Sequence, residues 1–313
     1  MKKMINKDTL VIAVSARALF DMEESNKIFL ENGLEAYIQH QHQNEEKPLK
    51  PGTGFPLVRA FLELNNLSED KAPLVEVIVI SNIHPEAGLR VIKSIEHHKL
   101  NIVKSAFTGN GNIVPYLSAF NVDLLLSRSE KDAQNAIDAG VPAAMLYETP
   151  RGIKKLGEEE QIRIAFDGDA VLFSDESEAI YKEKGLKAFL EHEKNMADNP
   201  MLEGPFAKFL YTIQKIQDKA PADKKPFRIA LVTARGSEAR ERVLKTLRAW
   251  NVTVDETFFL SGMTKYPILK AFRPHMFFDD QETHLLPSSK HVPSAKVPYK
   301  KGSDMSEIMS NVH

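Results

Sequence analysis

Short apolar runs, each ended by a small polar or acidic residue, recur along the chain. Leu10–Val14 runs into Ser15, and residues 75–80 run into Ser81. Further on, Ile162–Phe166 runs into Asp167, residues 228–232 into Thr233, and residues 276–278 into Asp279. Runs that are apolar on both faces and rich in Val, Ile and Phe predict buried parallel strands. Residues 86–97 and 237–250, between them, carry helical periodicity. The alternation predicts an α/β fold built on a parallel sheet.

The spacing of the strand ends adds a second level of order. Ser15 and Asp167, Ser81 and Thr233, Phe107 and Phe259, and Ser127 and Asp279 are each separated by 152 positions. Pro115-Tyr-Leu-Ser-Ala-Phe120 reads against Pro267-Ile-Leu-Lys-Ala-Phe272 at the same offset of 152. One shared offset predicts an internal duplication into two tandem Rossmann-like halves, residues 1–150 and 151–313, meeting at the proline-glycine break 149–152. Each half also has an excursion after its first strand, residues 21–73 and 175–226, too long for a simple loop. Both carry helical periodicity, as at 180–193 and 206–216 in the second, which makes each a helical cap insert. Such an insert is expected over the carboxyl ends of the strands, where open parallel sheets bind ligands.

Composition narrows the function classes. The length of 313 residues suits two domains of about 150. A content of 42% hydrophobic and 27% charged residues excludes disordered and fibrous classes. With 41 basic and 43 acidic side chains the formal charge is −2, without the basic footprint of a dedicated nucleic-acid binder, so no nucleic acid polymer is expected as partner. The chain has no cysteine, so any metal must sit on oxygen or imidazole. No run of 18 apolar residues is present, and the stretch after the polar first eight residues is too short for a signal-peptide core. No membrane partner and a cytoplasmic location are the expectations.

The chemistry gathers at strand ends of the second half: Asp167-Gly-Asp169, Thr233-Ala-Arg-Gly236, Ser261-Gly-Met-Thr-Lys265 and Asp279-Asp280. If these strands are neighbours, three or four carboxylates converge in one crevice. Two like charges about 4 Å apart cost on the order of 4 kcal/mol at an effective dielectric near 20. A hard divalent cation, Mg²⁺, is the natural counter-charge for oxygen donors. Asp-Gly is equally a common turn pair and Thr233 equally a helix N-cap. Lys270 competes with Lys265 for the phosphate-facing place, and Lys265 is preferred because it lies in the glycine-containing loop. In the break 199–206, Phe206 or Met201 is a candidate to stack on a purine, with core packing the alternative for both.

The ordered set resembles the haloacid dehalogenase superfamily of phosphotransferases. That resemblance implies Asp167 as nucleophile on phosphorus and Asp169 as general acid and later base. It implies Thr233 and the backbone after it, Ala234 and Arg235, as phosphate-binding, Lys265 as the neutralising cation, and Asp167, Asp169, Asp279 and Asp280 as the Mg²⁺ site. Residues 10–20, 33–37, 166–173 and 273–280 are similar, more narrowly, to the cytosolic type I 5'-nucleotidases. The implied activity is Mg²⁺-dependent hydrolysis of nucleoside 5'-monophosphates (AMP, IMP or deoxynucleotides) through an aspartyl-phosphate. A phosphatase of another small phosphomonoester and a nucleotide-sensing binding protein are the alternatives, and a homo-oligomer is compatible with either. The first half departs from the superfamily pattern, with Ser15, Arg17 and Ser127 at the positions of Asp167, Asp169 and Asp279. It is expected to have the fold without the chemistry.

Overall fold

The computed structural model describes residues 9–68, 72–148, 161–220 and 224–311. The expected boundary at 149–152 lies outside the described residues. The apolar runs form β1 (Leu10–Val14), β2 (Val75–Ser81), β3 (Lys104–Phe107), β4 (Leu124–Ser127) and β5 (Ala143–Leu146). After them come β6 (Ile162–Phe166), β7 (Phe227–Thr233), β8 (Glu256–Phe259), β9 (Met276–Asp279) and β10 (Ser294–Lys296).

These ten strands join one sheet in the order β8-β7-β6-β9-β10-β5-β4-β1-β2-β3. Neighbours run parallel, apart from β5 and β10, where Ala295 pairs Leu146 and Lys296 pairs Met145 in antiparallel sense. Read inward from either edge, β8-β7-β6-β9-β10 and β3-β2-β1-β4-β5 follow the same connectivity. Every residue of β1, β4 and β9 is buried, as expected for strands covered on both faces.

The main helices are α1 (Glu23–Gln43), α2 (Phe55–Glu63), α3 (Pro85–His97), α4 (Glu130–Asp138), α5 (Glu176–Asn195), α6 (Ala207–Lys219), α7 (Arg240–Ala249), α8 (Tyr266–Phe272) and α9 (Glu282–Ser288). The two long ones bend at a glycine. Gly33 in α1 has φ 83° and ψ −174°, and Gly185 in α5 has φ 78° and ψ 179°. A Cβ is excluded from that region of backbone space, so both bends need glycine.

The insert 175–226 divides by the faces of its helices. The stripe Phe209, Leu210, Ile213 and Ile216 is buried, which holds α6 against the sheet. Its Phe209 ring stands 6.4 Å from Phe166 and 6.5 Å from Phe61 of α2. From the same insert, α5 carries Glu178 and Glu193 to the carboxyl ends of the strands. Phe166, Phe206, Phe209 and Phe278 form an aromatic cluster with centroid spacings of 4.8–6.4 Å. Burial of each ring contributes roughly 1.5–3 kcal/mol. Phe166 and Phe278 immediately precede Asp167 and Asp279, so this cluster anchors the strand ends where the acids begin.

Candidate active site

Strand register brings the acids together. β6 and β9 are neighbours, and the Asp167 N–H donates to the Phe278 carbonyl at 2.8 Å. Asp167, Asp279 and Asp280 each place a carboxylate oxygen within 4.8 Å of the others, and all three side chains are buried. Lys265, at the N-cap of α8, is 1% exposed and reaches this cluster from the loop after β8. Its Nζ lies 2.7 Å from Asp167 Oδ1 and 2.7 Å from Asp279 Oδ2. Lys270, the rival, is exposed.

One ammonium among three buried carboxylates leaves a surplus of negative charge. Burial pushes Asp167 up to about 6, opposed by Lys265 and assisted by Asp279 and Asp169. Burial also raises Asp279, against the pull of Lys265, and raises Asp280 well above the usual range with help from Glu178 and Asp279. Burial works against the Lys265 ammonium too, but the attraction of Asp167 and Asp279 outweighs it and holds the lysine protonated. The Oδ1 of Asp280 is buried without a hydrogen-bond partner among the described residues. Oxygen-only donors, surplus negative charge and an orphaned carboxylate oxygen together fit a hard divalent cation.

A second carboxylate cluster adjoins the first. Tyr299 donates to Asp280 Oδ2 at 2.6 Å and to Glu178 of α5 at 3.4 Å. Burial, followed by the charge of Asp169, pushes Glu178 up to about 7. On α9, burial and then the Lys265 charge push His284 down to about 4, which leaves its imidazole neutral.

Asp169 sits in a tight turn with Ala170 at φ 58°. Arg235 grips its carboxylate from two sides, Nε to Oδ2 at 2.8 Å and Nη2 to Oδ1 at 2.6 Å. The same guanidinium pairs through Nη1 with Glu193 of α5 and stacks 5.3 Å from the Phe189 ring. Glu193 in turn accepts from Ser177 at 2.7 Å and from Arg242 at 2.9 Å. This buried chain fastens the cap helix to the turn that carries Asp169.

These contacts involve two expected substrate residues, Arg235 and Phe206. The side chain of Arg235 is committed to Asp169 and Glu193; only its backbone N–H, which donates to Thr233 Oγ1 at 3.2 Å, belongs to the loop after β7. Phe206 is fully buried with its ring 4.8 Å from Phe278. It is a core side chain, because the apolar stripe of α6 draws it into the aromatic cluster, and it has no free face for a base. Met201 is also buried, with its sulfur 3.3 Å from Arg235. Thr233 is 1% exposed at the end of β7, and the Ala234 carbonyl accepts from Gly262, which ties the two loops together. Sequence reasoning missed Glu178, Glu193, His284 and Tyr299. They lie on helices or in the C-terminal segment, where no strand-end pattern marks them.

A model of the 5'-nucleotidase family matches residues 1–304. "Cytosolic 5'-nucleotidase 1B" of Homo sapiens is 38% identical over 288 residues, covering 89% of this chain and 47% of that protein. The chain therefore spans about half the length of the curated relative it matches. A solved chain described as "Structure of Pnkp1/Rnl/Hen1 complex" aligns over 94% of this chain and 97% of its own, at 10% identity and a TM-score of 0.31.

Proposed function

The chain belongs to the 5'-nucleotidase family, and from that premise we propose that residues 162–311 form a phosphomonoesterase acting on nucleoside 5'-monophosphates. The observation that carries the reading is the trio Asp167, Asp279 and Asp280, buried within 4.8 Å of one another against a single lysine. In this reading Asp167, Asp279 and Asp280 hold Mg²⁺. When bound, the ion neutralises charge on the phosphoryl group and the attacking carboxylate.

The remaining work falls to side chains. Asp167 attacks phosphorus, the P–O bond to the ribose 5'-oxygen breaks, and Asp169 gives that oxygen its proton. Asp169 then takes a proton from water, the water attacks the aspartyl-phosphate, and inorganic phosphate leaves with Asp167 restored. Arg235, bonded to both Asp169 oxygens, holds that carboxylate beside the phosphate-binding loop. Lys265 holds Asp167 in place and opposes the negative charge that gathers during transfer. Thr233 and the N–H groups after it receive the phosphate oxygens.

The duplication belongs to the same proposal, with halves 1–150 and 151–313. Its support is the residue-for-residue repetition of β1, β2, β3 and β4 in β6, β7, β8 and β9, and of detailed contacts. Leu49 N–H donates to Ser94 Oγ as Met201 N–H donates to Thr246 Oγ1, both at 3.0 Å. Among the described residues no helix is long and apolar enough to cross a membrane. A cytoplasmic site of action, the compartment in the relative's name, completes the proposal.

The test is phosphate release from a panel of nucleoside monophosphates and sugar phosphates, with Mg²⁺ and then with chelator. Nucleotide turnover that stops with chelator and in Asp167→Asn is expected. Chelator-insensitive turnover, or a preference for sugar phosphates, contradicts the reading.

A further inference from the structure

We propose that the carboxyl ends of β1, β2 and β4 form a second binding site, which takes a phosphorylated nucleoside without a metal and leaves it intact. A cavity of about 290 Å³ opens there, at the lower end of the range for small-ligand sites. Ser15, Ser81 and Ser127 bring hydroxyls to it from the three strand ends. The exchange of residues between the two sets of strand ends decides what it prefers. Ser15, Arg17, Ser127 and Arg128 stand 152 positions before Asp167, Asp169, Asp279 and Asp280. Four carboxylates that call for a cation are thus matched by two hydroxyls and two guanidiniums that call for an anion.

The arginines are poised for one. Arg17 Nε is buried and has no hydrogen-bond partner among the described residues, a deficit that a phosphate oxygen would satisfy. Arg17 Nη2 and Arg128 Nη2 each lie 3.1 Å from Glu23 Oε1. Arg17 Nη2 also reaches Glu23 Oε2 at 3.2 Å, but the carboxylate is 47% exposed and an incoming phosphate would displace it into solvent. Helices α3 and α4, capped by His84 and Ser129, begin at the cavity and direct their positive ends towards it.

The other wall asks for a base. Phe29 and Tyr37 meet edge to face at 5.8 Å, and Met22 and Leu34 extend the apolar surface. Asn82, 3.3 Å from Asp132, supplies a donor beside an acceptor for a base edge or a sugar. Inorganic phosphate would leave this wall bare, whereas a nucleoside phosphate spans both ends. Hydrolysis is excluded by the chemistry present. The Ser15 hydroxyl replaces the nucleophile, and an arginine has no proton to give near neutral pH.

The cavity stands independently of the catalytic reading, and the experiment keeps them apart. Equilibrium dialysis of the full-length Asp167→Asn chain, with chelator present, uses AMP, adenosine and inorganic phosphate as probes. One AMP per chain is expected, bound at least about tenfold tighter than adenosine or phosphate. Arg17→Met and Arg128→Met are each expected to weaken it by about tenfold or more, the worth of a charge-assisted hydrogen bond. Arg17→Lys, which keeps the charge and loses the fork, should fall between. In the otherwise unaltered chain, Arg17→Met should leave Mg²⁺-dependent hydrolysis unchanged, which also shows that the variant folds. No AMP retained in chelator, or equal retention by the arginine variants, overturns the proposal. AMP retention that depends on Arg17 in a chain that hydrolyses nothing would overturn the catalytic reading and leave this one standing.

Discussion

Replacing Lys265 by methionine tests how the acid cluster is balanced. Its Nζ lies 2.7 Å from both Asp167 and Asp279, and the three side chains are 0%, 6% and 0% exposed. At an effective dielectric near 20 each contact amounts to about 6 kcal/mol of attraction, most of it consumed by desolvating the ions. Removing one member of such a buried group costs about 3–5 kcal/mol, because the remaining charges are left unpaired. The loss depends on pH. Burial already places Asp167 at about 6, with Lys265 opposing, so deleting the lysine drives it higher. A carboxyl raised in the folded state contributes stability that is complete below its unfolded value and is lost as pH rises through the folded one. At pH 8 Lys265→Met should therefore lose about 3–5 kcal/mol, and at pH 5.5 about 2–3 kcal/mol less, since a proton replaces the lysine. Urea unfolding at both pH values, with chelator present, measures this. Equal losses at the two pH values, or a similar loss in Lys270→Met on the exposed face of α8, would refute the reasoning.

Further outcomes follow from the same contacts. Asp169→Asn should lower kcat by about 10²–10⁴ while Mg²⁺ binding persists, because Asp169 lies outside the carboxylate trio; steady-state kinetics beside a Mg²⁺ titration separates the two. Glu193→Ala, which removes the buried carboxylate shared by Arg235 and Arg242, should cost about 3–5 kcal/mol in urea, and Glu193→Gln less; a loss below about 1 kcal/mol would remove the cap-fastening role. The Mg²⁺-induced rise in Tm should be full at pH 7.5 and shrink as pH falls through about 6, where the Asp167 proton competes with the ion; a rise unchanged at pH 5 would count against these ligands. A Cβ at Gly204 would meet the Phe173 carbonyl oxygen at 2.2 Å, so Gly204→Ala should lower stability by about 1–3 kcal/mol by thermal melting, with an unchanged Tm contradicting the close approach.

The strand ends were legible because two local patterns specify them. An apolar run fixes where a buried strand lies, and the polar residue that ends it fixes what the carboxyl end presents. Asp167, Thr233 and Asp279 follow directly, and the glycine loop separated Lys265 from Lys270. The side-chain partners of Arg235 and the burial of Phe206 were not legible for one reason. Both depend on how the insert 175–226 packs, and nothing local shows that α5 crosses the site while α6 lies on the sheet. Glu193 and Glu178 look like any solvated helix acid until the bend at Gly185 and the reach of Arg235 are known. The cavity beside Arg17 and Arg128 was likewise hidden, since sequence offset marked the loss of the acids but not the space they leave.

The central claim is that Asp167 is the group that receives the phosphoryl, beside a metal held by the acids that converge on it. Crystals grown with Mg²⁺ and beryllium fluoride, a mimic of an acyl phosphate, test it most directly. Electron density should show beryllium joined to an Asp167 carboxylate oxygen, and one metal ion in contact with both Asp167 and Asp279. Beryllium on another side chain, or a metal ion bound away from this trio, would contradict the account.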